Sequence, residues 1–233
     1  MTAIILHIET STKTCSIALS SGNDLLALKE SNDNEYSHSE KLNLFIEAVL
    51  KEAGVEMKDL SAIAVSKGPG SFTGLRIGVS SAKGIAYALT LPLISCNTLD
   101  CLAGGFIQQS DLRENDLIVP MIDARRQEVY MKIIDLKMNQ LTDIEAKVID
   151  QDSFSEYYQS DRKIHLIGDG ASKFKTLYEA NADVIVHENI LPSAAHMIAA
   201  ALNAYEENKF EDLAYFEPFY LKDFIAIKPR KLF

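Results

Sequence analysis

The sequence predicts an α/β fold built of mixed sheets with flanking helices, and three observations carry that prediction. Short apolar or alternating runs are followed by amphipathic segments of helical spacing, again and again along the 233 residues, which is the pattern of sheets layered against helices. Residues 61–89 compress the pattern into one unit: an apolar run, a glycine turn and a long helix. Each half of the chain also opens on a pair of strands joined by a polar turn, which suggests a duplicated architecture although no sequence repeat is readable.

In the first half, Ala3 to Ile8 is an apolar strand, Thr14 to Leu19 alternates as a second, and Leu25 to Leu28 makes a third after the turn Ser21-Gly22-Asn23-Asp24. Between the first two strands lies Glu9-Thr10-Ser11-Thr12-Lys13-Thr14, rich in hydroxyls that can satisfy a turn by bonding its own backbone. Ser37 and Glu40 stand at capping-box spacing; Leu42, Phe45, Ile46, Val49, Leu50 and Ala53 share one face, and Gly54 ends that helix. His38 lies in its first turn and reads as a polar helix-start residue.

Ser61 to Val65 suits a buried strand, and Gly68-Pro69-Gly70 a tight turn, because proline fixes φ while glycine permits positive values. Ser71 stands where an N-cap belongs, ahead of Leu75, Val79, Ala82, Ala86 and Leu89 at helical spacing. Along that helix Gly74, Gly78, Ala82 and Ala86 fall four apart, leaving a strip with almost no side chain. Each interior glycine costs roughly 0.5–1 kcal/mol relative to alanine, so something approaches this backbone closely. Either the strip packs on the protein's own sheet, or it meets a helix of another subunit, which small residues allow at roughly 8 Å. On the second reading Ser71, Phe72, Gly74, Leu75, Gly78 and Ala82 form a partner interface. The turn itself is no phosphate clamp of known spelling: no lysine follows its second glycine, and Thr73 occupies the third glycine's place in a dinucleotide fingerprint.

Leu91 to Ser95 reads as another short strand, followed by a helix capped at Asn97 or Thr98 and broken or loosened at Gly104-Gly105. Gln108 to Asp116 is polar and marks a boundary. Beyond it, Leu117 to Ile122 and Glu128 to Ile134 form a hairpin around a turn that carries Asp123, Arg125, Arg126 and Glu128. That cluster offers an acid and two anion-binding forks, but an ion-paired hairpin is the plainer reading. Ile164 to Ile167 is a strand leading into the turn Gly168-Asp169-Gly170-Ala171, and from Ser193 a helix runs through Met197, Ile198, Ala201, Leu202 and Tyr205, carrying a structural His196. Glu217 to Lys222 is apolar and extended, and Lys228-Pro229-Arg230-Lys231 makes a basic, solvated tail.

Composition excludes several classes. Thirty-three acids against 23 bases give net −10, which argues against independent, strong binding to a phosphate backbone. Cys15, Cys96 and Cys101 lack zinc spacing and read as reduced residues of a cytoplasmic protein. The opening MTAIILHIETS is too short in its apolar run for a signal peptide, and no segment approaches a membrane span.

The block SKGPGSFTGLRIG (66–78), with IETSTKTCSIAL (8–19) before it and MIDARRQEVY (121–130) and EPFYLKD (217–223) after it, resembles the bacterial TsaB (YeaZ) family, whose members work in making threonylcarbamoyladenosine on tRNA. The match covers nearly the whole chain in order. It implies an actin-like/ribonuclease H-like (ASKHA) two-domain fold, with an N-terminal domain over 1–107 and a related, degenerate one over 108–233, the last ~20 residues returning to the first. In that superfamily the first turn holds phosphate and usually begins with Asp. Here the acid is Glu9, one methylene longer, so Glu9, Thr10, Ser11 and Thr12 make a candidate degenerate nucleotide loop beside the self-satisfied turn. The catalytic relatives, the TsaD proteins, carry a metal pair of histidines four apart on the first helix, where this chain has His38 and then Leu42.

The resemblance therefore implies a non-catalytic partner subunit, with no catalytic residue and no metal of its own. Its partners would be a TsaD-type paralogue, a TsaE-type ATPase and a second copy of itself, with tRNA met through the complex and no membrane. No cofactor is expected, any ATP or ADP at the complex interface being bound mainly by the partners. Two other classes compete. A phosphotransferase of the same fold needs the loop Asp and a glycine-rich adenosine turn; a protease acting on the relative needs an activated nucleophile, which no spacing suggests.

Overall fold

The computed structural model describes residues 2–32 and 38–222. The expected Ser37 cap and the basic tail at 228–231 lie outside the described residues.

The first sheet grows from β1 (Ile4–Glu9), β2 (Cys15–Ser21) and β3 (Asp24–Ser31), antiparallel neighbours, then α1 (His38–Ala53), β4 (Ala62–Gly68), α2 (Phe72–Leu89), β5 (Leu93–Asn97) and α3 (Thr98–Gln109). Its order is β3-β2-β1-β4-β5, with β4 and β5 parallel to β1. Three antiparallel strands extended by two parallel ones across helical crossovers is the ribonuclease H-like arrangement that an actin-like fold requires. The central strand is apolar on both sides because both faces are covered. Leu6 and Ile8 join α1 and α2 through Leu42, Val49, Val79 and Ala82. Ile5, on the opposite face, joins Ala64, Ile94 and Cys101. His7 is on that face too, wholly buried, its Nε2 bonded to Ser20 Oγ at 2.9 Å.

The second sheet takes β6 (Leu117–Asp123), β7 (Glu128–Met131), β8 (Ile134–Asp135), β9 (Glu145–Val148) and β10 (Ile164–Ile167); the short α4 (Lys175–Tyr178) precedes β11 (Val184–Val186). The order β11-β10-β6-β7-β9, with β8 pairing β6, joins a parallel half to an antiparallel one. The returning strand expected through Ile134 stops at Met131. Lys132, almost fully buried, leaves it to form an ion pair with Asp100 on α3.

A 3₁₀ turn from Ala194 and α5 (Ile198–Glu206) come back to the first sheet, packing Met197 and Ala201 on Ile5 and Ile94. The break expected at Gly104-Gly105 does not occur: α3 runs on to Gln109, across the expected 107/108 boundary. Gly105 instead makes room for a ring, since a Cβ there would fall under 3.0 Å from the His196 imidazole. Among the described residues no helix is long and apolar enough to cross a membrane.

Candidate functional site

Strands β1 and β4 are parallel neighbours, so the turns that follow them emerge side by side at the carboxyl edge of the sheet, where α/β folds place ligands. The hydroxyl turn after Glu9 thus meets the Gly68-Pro69-Gly70 turn and the first turns of α2. Gly68 takes φ 108°, a conformation that favours glycine, and the Gly68–Pro69 peptide is cis. Ser71 caps α2, accepting the Gly74 N–H at 3.3 Å.

The turn bonds much of its own backbone, while Glu9 Oε2 and the Ser11 and Thr14 hydroxyls are buried without a hydrogen-bond partner among the described residues. Glu9 is fully buried, and its Oε1 accepts the Ser11 N–H at 2.5 Å and the Ser66 hydroxyl at 3.0 Å. Burial raises its pKa above the carboxylate range, against the lowering influence of Ser11 and Ser66. The Thr14 N–H donates to Thr12 Oγ1 at 3.2 Å, and the Ser71 N–H donates to Ser11 O at 2.6 Å. His38 binds the Thr12 carbonyl through Nε2 at 2.8 Å, while Leu42, four residues on, is core.

The glycine strip faces this same turn. A Cβ on Gly70 would strike Ser11, one on Gly74 the Thr10 carbonyl, and one on Gly78 the Thr10 hydroxyl, each under 3.0 Å. Gly74, Leu75, Gly78 and Ala82 are buried within the chain. Of the two readings of the strip, packing on the chain's own sheet or meeting a helix of another subunit, the positions Gly74 and Gly78 are filled by the chain's own first hairpin, where Thr10 approaches the α2 backbone and donates to Gly74 O at 2.8 Å. Ser71 is the cap, and Phe72 is half-buried against Tyr220, ring centroids 4.9 Å apart. What α2 leaves outside is Thr73, Arg76, Ser80, Gly84, Tyr87 and Ala88.

A cleft of about 590 Å³ opens beyond the turn, between it and the second sheet's first hairpin. The far wall holds Asp169, whose Oδ1 accepts the Asp123 N–H at 3.1 Å and whose pKa burial pushes up to about 6. Among the described residues the acids of the expected charged cluster form their ion pairs outside the hairpin, while Asp123 Oδ1 also accepts the Arg125 N–H within it at 2.6 Å. Asp123 accepts Lys173 Nζ at 2.5 Å and Glu128 pairs with Lys222, both lysines arriving from distant segments. Arg125 and Arg126 carry positive φ, 74° and 53°, which the reading of that turn did not foresee. The segment Phe219–Lys222 runs along the cleft, the Phe219 N–H donating to Lys67 O at 2.7 Å. Ser66 and Lys173 were missed by the sequence reading, since nothing local marks a residue that acts by reaching another turn. Among the described residues no group of three or more His, Cys, Asp or Glu side chains is placed to hold a metal ion.

Comparison with known proteins agrees with this geometry. A family model described as TsaD, tRNA N6-adenosine threonylcarbamoyltransferase, matches residues 32–229. The tRNA threonylcarbamoyladenosine biosynthesis protein TsaB of Escherichia coli K12 is 29% identical over 96% of each chain. The protein of the same name from Bacillus subtilis 168 is 31% identical over 82% of this chain and 80% of its own. Among solved structures, YeaZ from Pseudomonas aeruginosa superposes with a TM-score of 0.79 over 94% of this chain and all of its own, at 24% identity.

Proposed function

The chain belongs to the TsaB (YeaZ) family, and from that premise we propose that it is a non-catalytic partner subunit of a TsaD-type threonylcarbamoyl-transferase. In this reading it serves the formation of threonylcarbamoyladenosine on tRNA together with a TsaE-type ATPase. The observation that carries the reading is the turn's own bonding: the Ser11 and Thr14 N–H groups, which a phosphate would otherwise engage, are bonded to the chain itself, and Glu9 is sealed beneath them. The net charge of −10 favours a role in which partners hold the RNA.

Docking then uses the outer face of α2. Tyr87 is 80% exposed there, and Gly84 faces open space with no atom within 4 Å of a Cβ built on it. A small residue flanked by an aromatic one allows a second helix to lie close and gain an anchor. The same face serving a second copy of the chain makes a homodimer the competing, resting state. Any ATP or ADP at such a junction is bound mainly by the partners.

Size-exclusion chromatography of the chain mixed with its TsaD-type paralogue tests the docking. The wild type and Gly84→Ala are expected to elute as a mixed complex and Gly84→Arg as separate proteins. A complex that survives Gly84→Arg refutes this face as the docking surface. No complex under any condition refutes the partner role itself.

A further inference from the structure

Far from the closed turn, three side chains stand in line at the parallel half of the second sheet. Asp116, 2% exposed, ends the connector from α3. Its Oδ1 accepts the Lys163 N–H at 2.8 Å and its Oδ2 the Arg113 N–H at 2.9 Å. His165 on β10 reaches Asp116 Oδ2 with Nε2 at 3.2 Å and His187 Nε2 with Nδ1 at 2.8 Å. The imidazole rings lie 5.1 Å apart and nearly parallel, with Phe106 of α3 set against both.

Charge and donor counting assign the protons. Burial raises the Asp116 pKa, but the two N–H donors and His165 outweigh it and hold the group below the usual carboxylate range. An ionised carboxylate can only accept, so His165 carries its proton on Nε2. His165 Nδ1 then accepts from His187 Nε2–H, leaving His187 Nδ1 as the one open base. A first proton enters at that nitrogen and preserves both ring hydrogen bonds. A second must enter at His165 Nδ1, which deletes the His165–His187 bond and sets two cations side by side against Phe106.

We propose that Asp116, His165 and His187 form one two-proton site that latches edge strand β11 to β10 and releases it in acid. The latch matters because β11 is three residues long and, among the described residues, pairs with β10 alone. Beyond that ladder, the strand end is held by the His187 N–H donating to Leu166 O at 2.9 Å and by the two rings. Other nearby charges are already engaged: Lys163 turns to Asp183 at 3.4 Å, and Glu188 to Lys175 at 2.5 Å. Burial holds both histidines below their ordinary pKa, and His165 lowers His187 further. The sign follows: at neutral pH both rings are neutral beside the ionised Asp116 and the latch is intact, and its stabilisation is lost as pH falls from the unfolded histidine value of about 6.5.

Ring nitrogen NMR on the full chain, titrated from about pH 8 to about pH 4.5, reads the site directly. The expected result is Nε2–H on both neutral rings, a first proton on His187, and coupled shifts in His165. Hydrogen exchange at the Ile185 and His187 amides, the two β11-side donors that face β10 in this parallel register, corrected for intrinsic pH dependence, should rise about 10-fold with the second proton, while Leu6 in the first sheet stays protected. His187→Gln keeps a donor but cannot be charged, and should remove that step. Two independent titrations at the ordinary histidine value, or protection of Ile185 and His187 unchanged throughout, would overturn the proposal. If His187→Gln fails to fold, the wild-type titration still decides.

Discussion

The Thr10 hydroxyl donates to the Gly74 carbonyl at 2.8 Å, fastening the hairpin turn of the first two strands to the first turn of α2. The bond is possible because the helix lacks side chains there. The steric need that marks Gly74 and Gly78 in the sequence is met inside one chain.

Alanine substitutions along α2 should therefore diverge. Gly74→Ala would press a methyl group on the Thr10 backbone carbonyl, and is expected to cost about 3 kcal/mol. Gly78→Ala meets the Thr10 hydroxyl and should cost about 1–2 kcal/mol, less when combined with Thr10→Ala. Gly84→Ala, in open space, should stabilise by about 0.5–1 kcal/mol through helix propensity alone. Urea midpoints of the three variants check the order.

Glu9 is an acid held in a dry place. Its folded pKa is raised, chiefly by burial, so the folded state binds the proton more tightly than the unfolded one. The carboxyl's contribution is best in acid and worsens as pH rises from the unfolded value toward the folded one. Glu9→Gln keeps an acceptor for Ser11 N–H and Ser66 without the charge. Its melting temperature should exceed the wild type's at pH 8, with the difference shrinking toward about pH 4.5.

His7 acts with the opposite sign. Burial lowers its pKa to about 3, so stability is full above the unfolded value and is lost as pH falls toward the folded one. The slope is about 1.4 kcal/mol per pH unit for one proton. His7→Leu, measured by denaturant titration at several pH values, should flatten the acid limb, at a constant cost from leaving the Ser20 hydroxyl unpaired.

The outer face of α2 should separate binding from folding. Tyr87→Glu and Ser80→Arg alter exposed positions, so monomer stability should stay within about 0.5 kcal/mol. Affinity for the TsaD-type partner, read by titration calorimetry, should fall more than about 10-fold.

Much of this was legible in the residues. Apolar runs located β1, β4 and β6, alternation located β2, and Ser71 announced the α2 cap, because these signals are local. The destination of the Gly74 and Gly78 strip was not legible, since the spacing says only that something comes close, and Thr10 lies 64 positions away. The glycines of α3 misled for the same reason: Gly105 serves His196, which returns from the far end of the chain. Strands β9 and β11 went unseen, being short edge elements whose pairing is set by neighbours more than by their own pattern. The loop acid was found from sequence, but its burial and its bonds to Ser11 and Ser66 needed the fold.

The central claim is that this chain contributes as a partner and does no chemistry at its closed turn. It is tested most directly by tRNA threonylcarbamoylation in a purified mixture of TsaD-type transferase, TsaE-type ATPase, the enzyme making threonylcarbamoyl-adenylate, tRNA and ATP. Activity should vanish when the chain is omitted and return in full with either the wild type or Glu9→Gln. Undiminished activity without the chain contradicts the partner role, and a Glu9→Gln protein that binds its partner yet restores nothing makes the turn a working site.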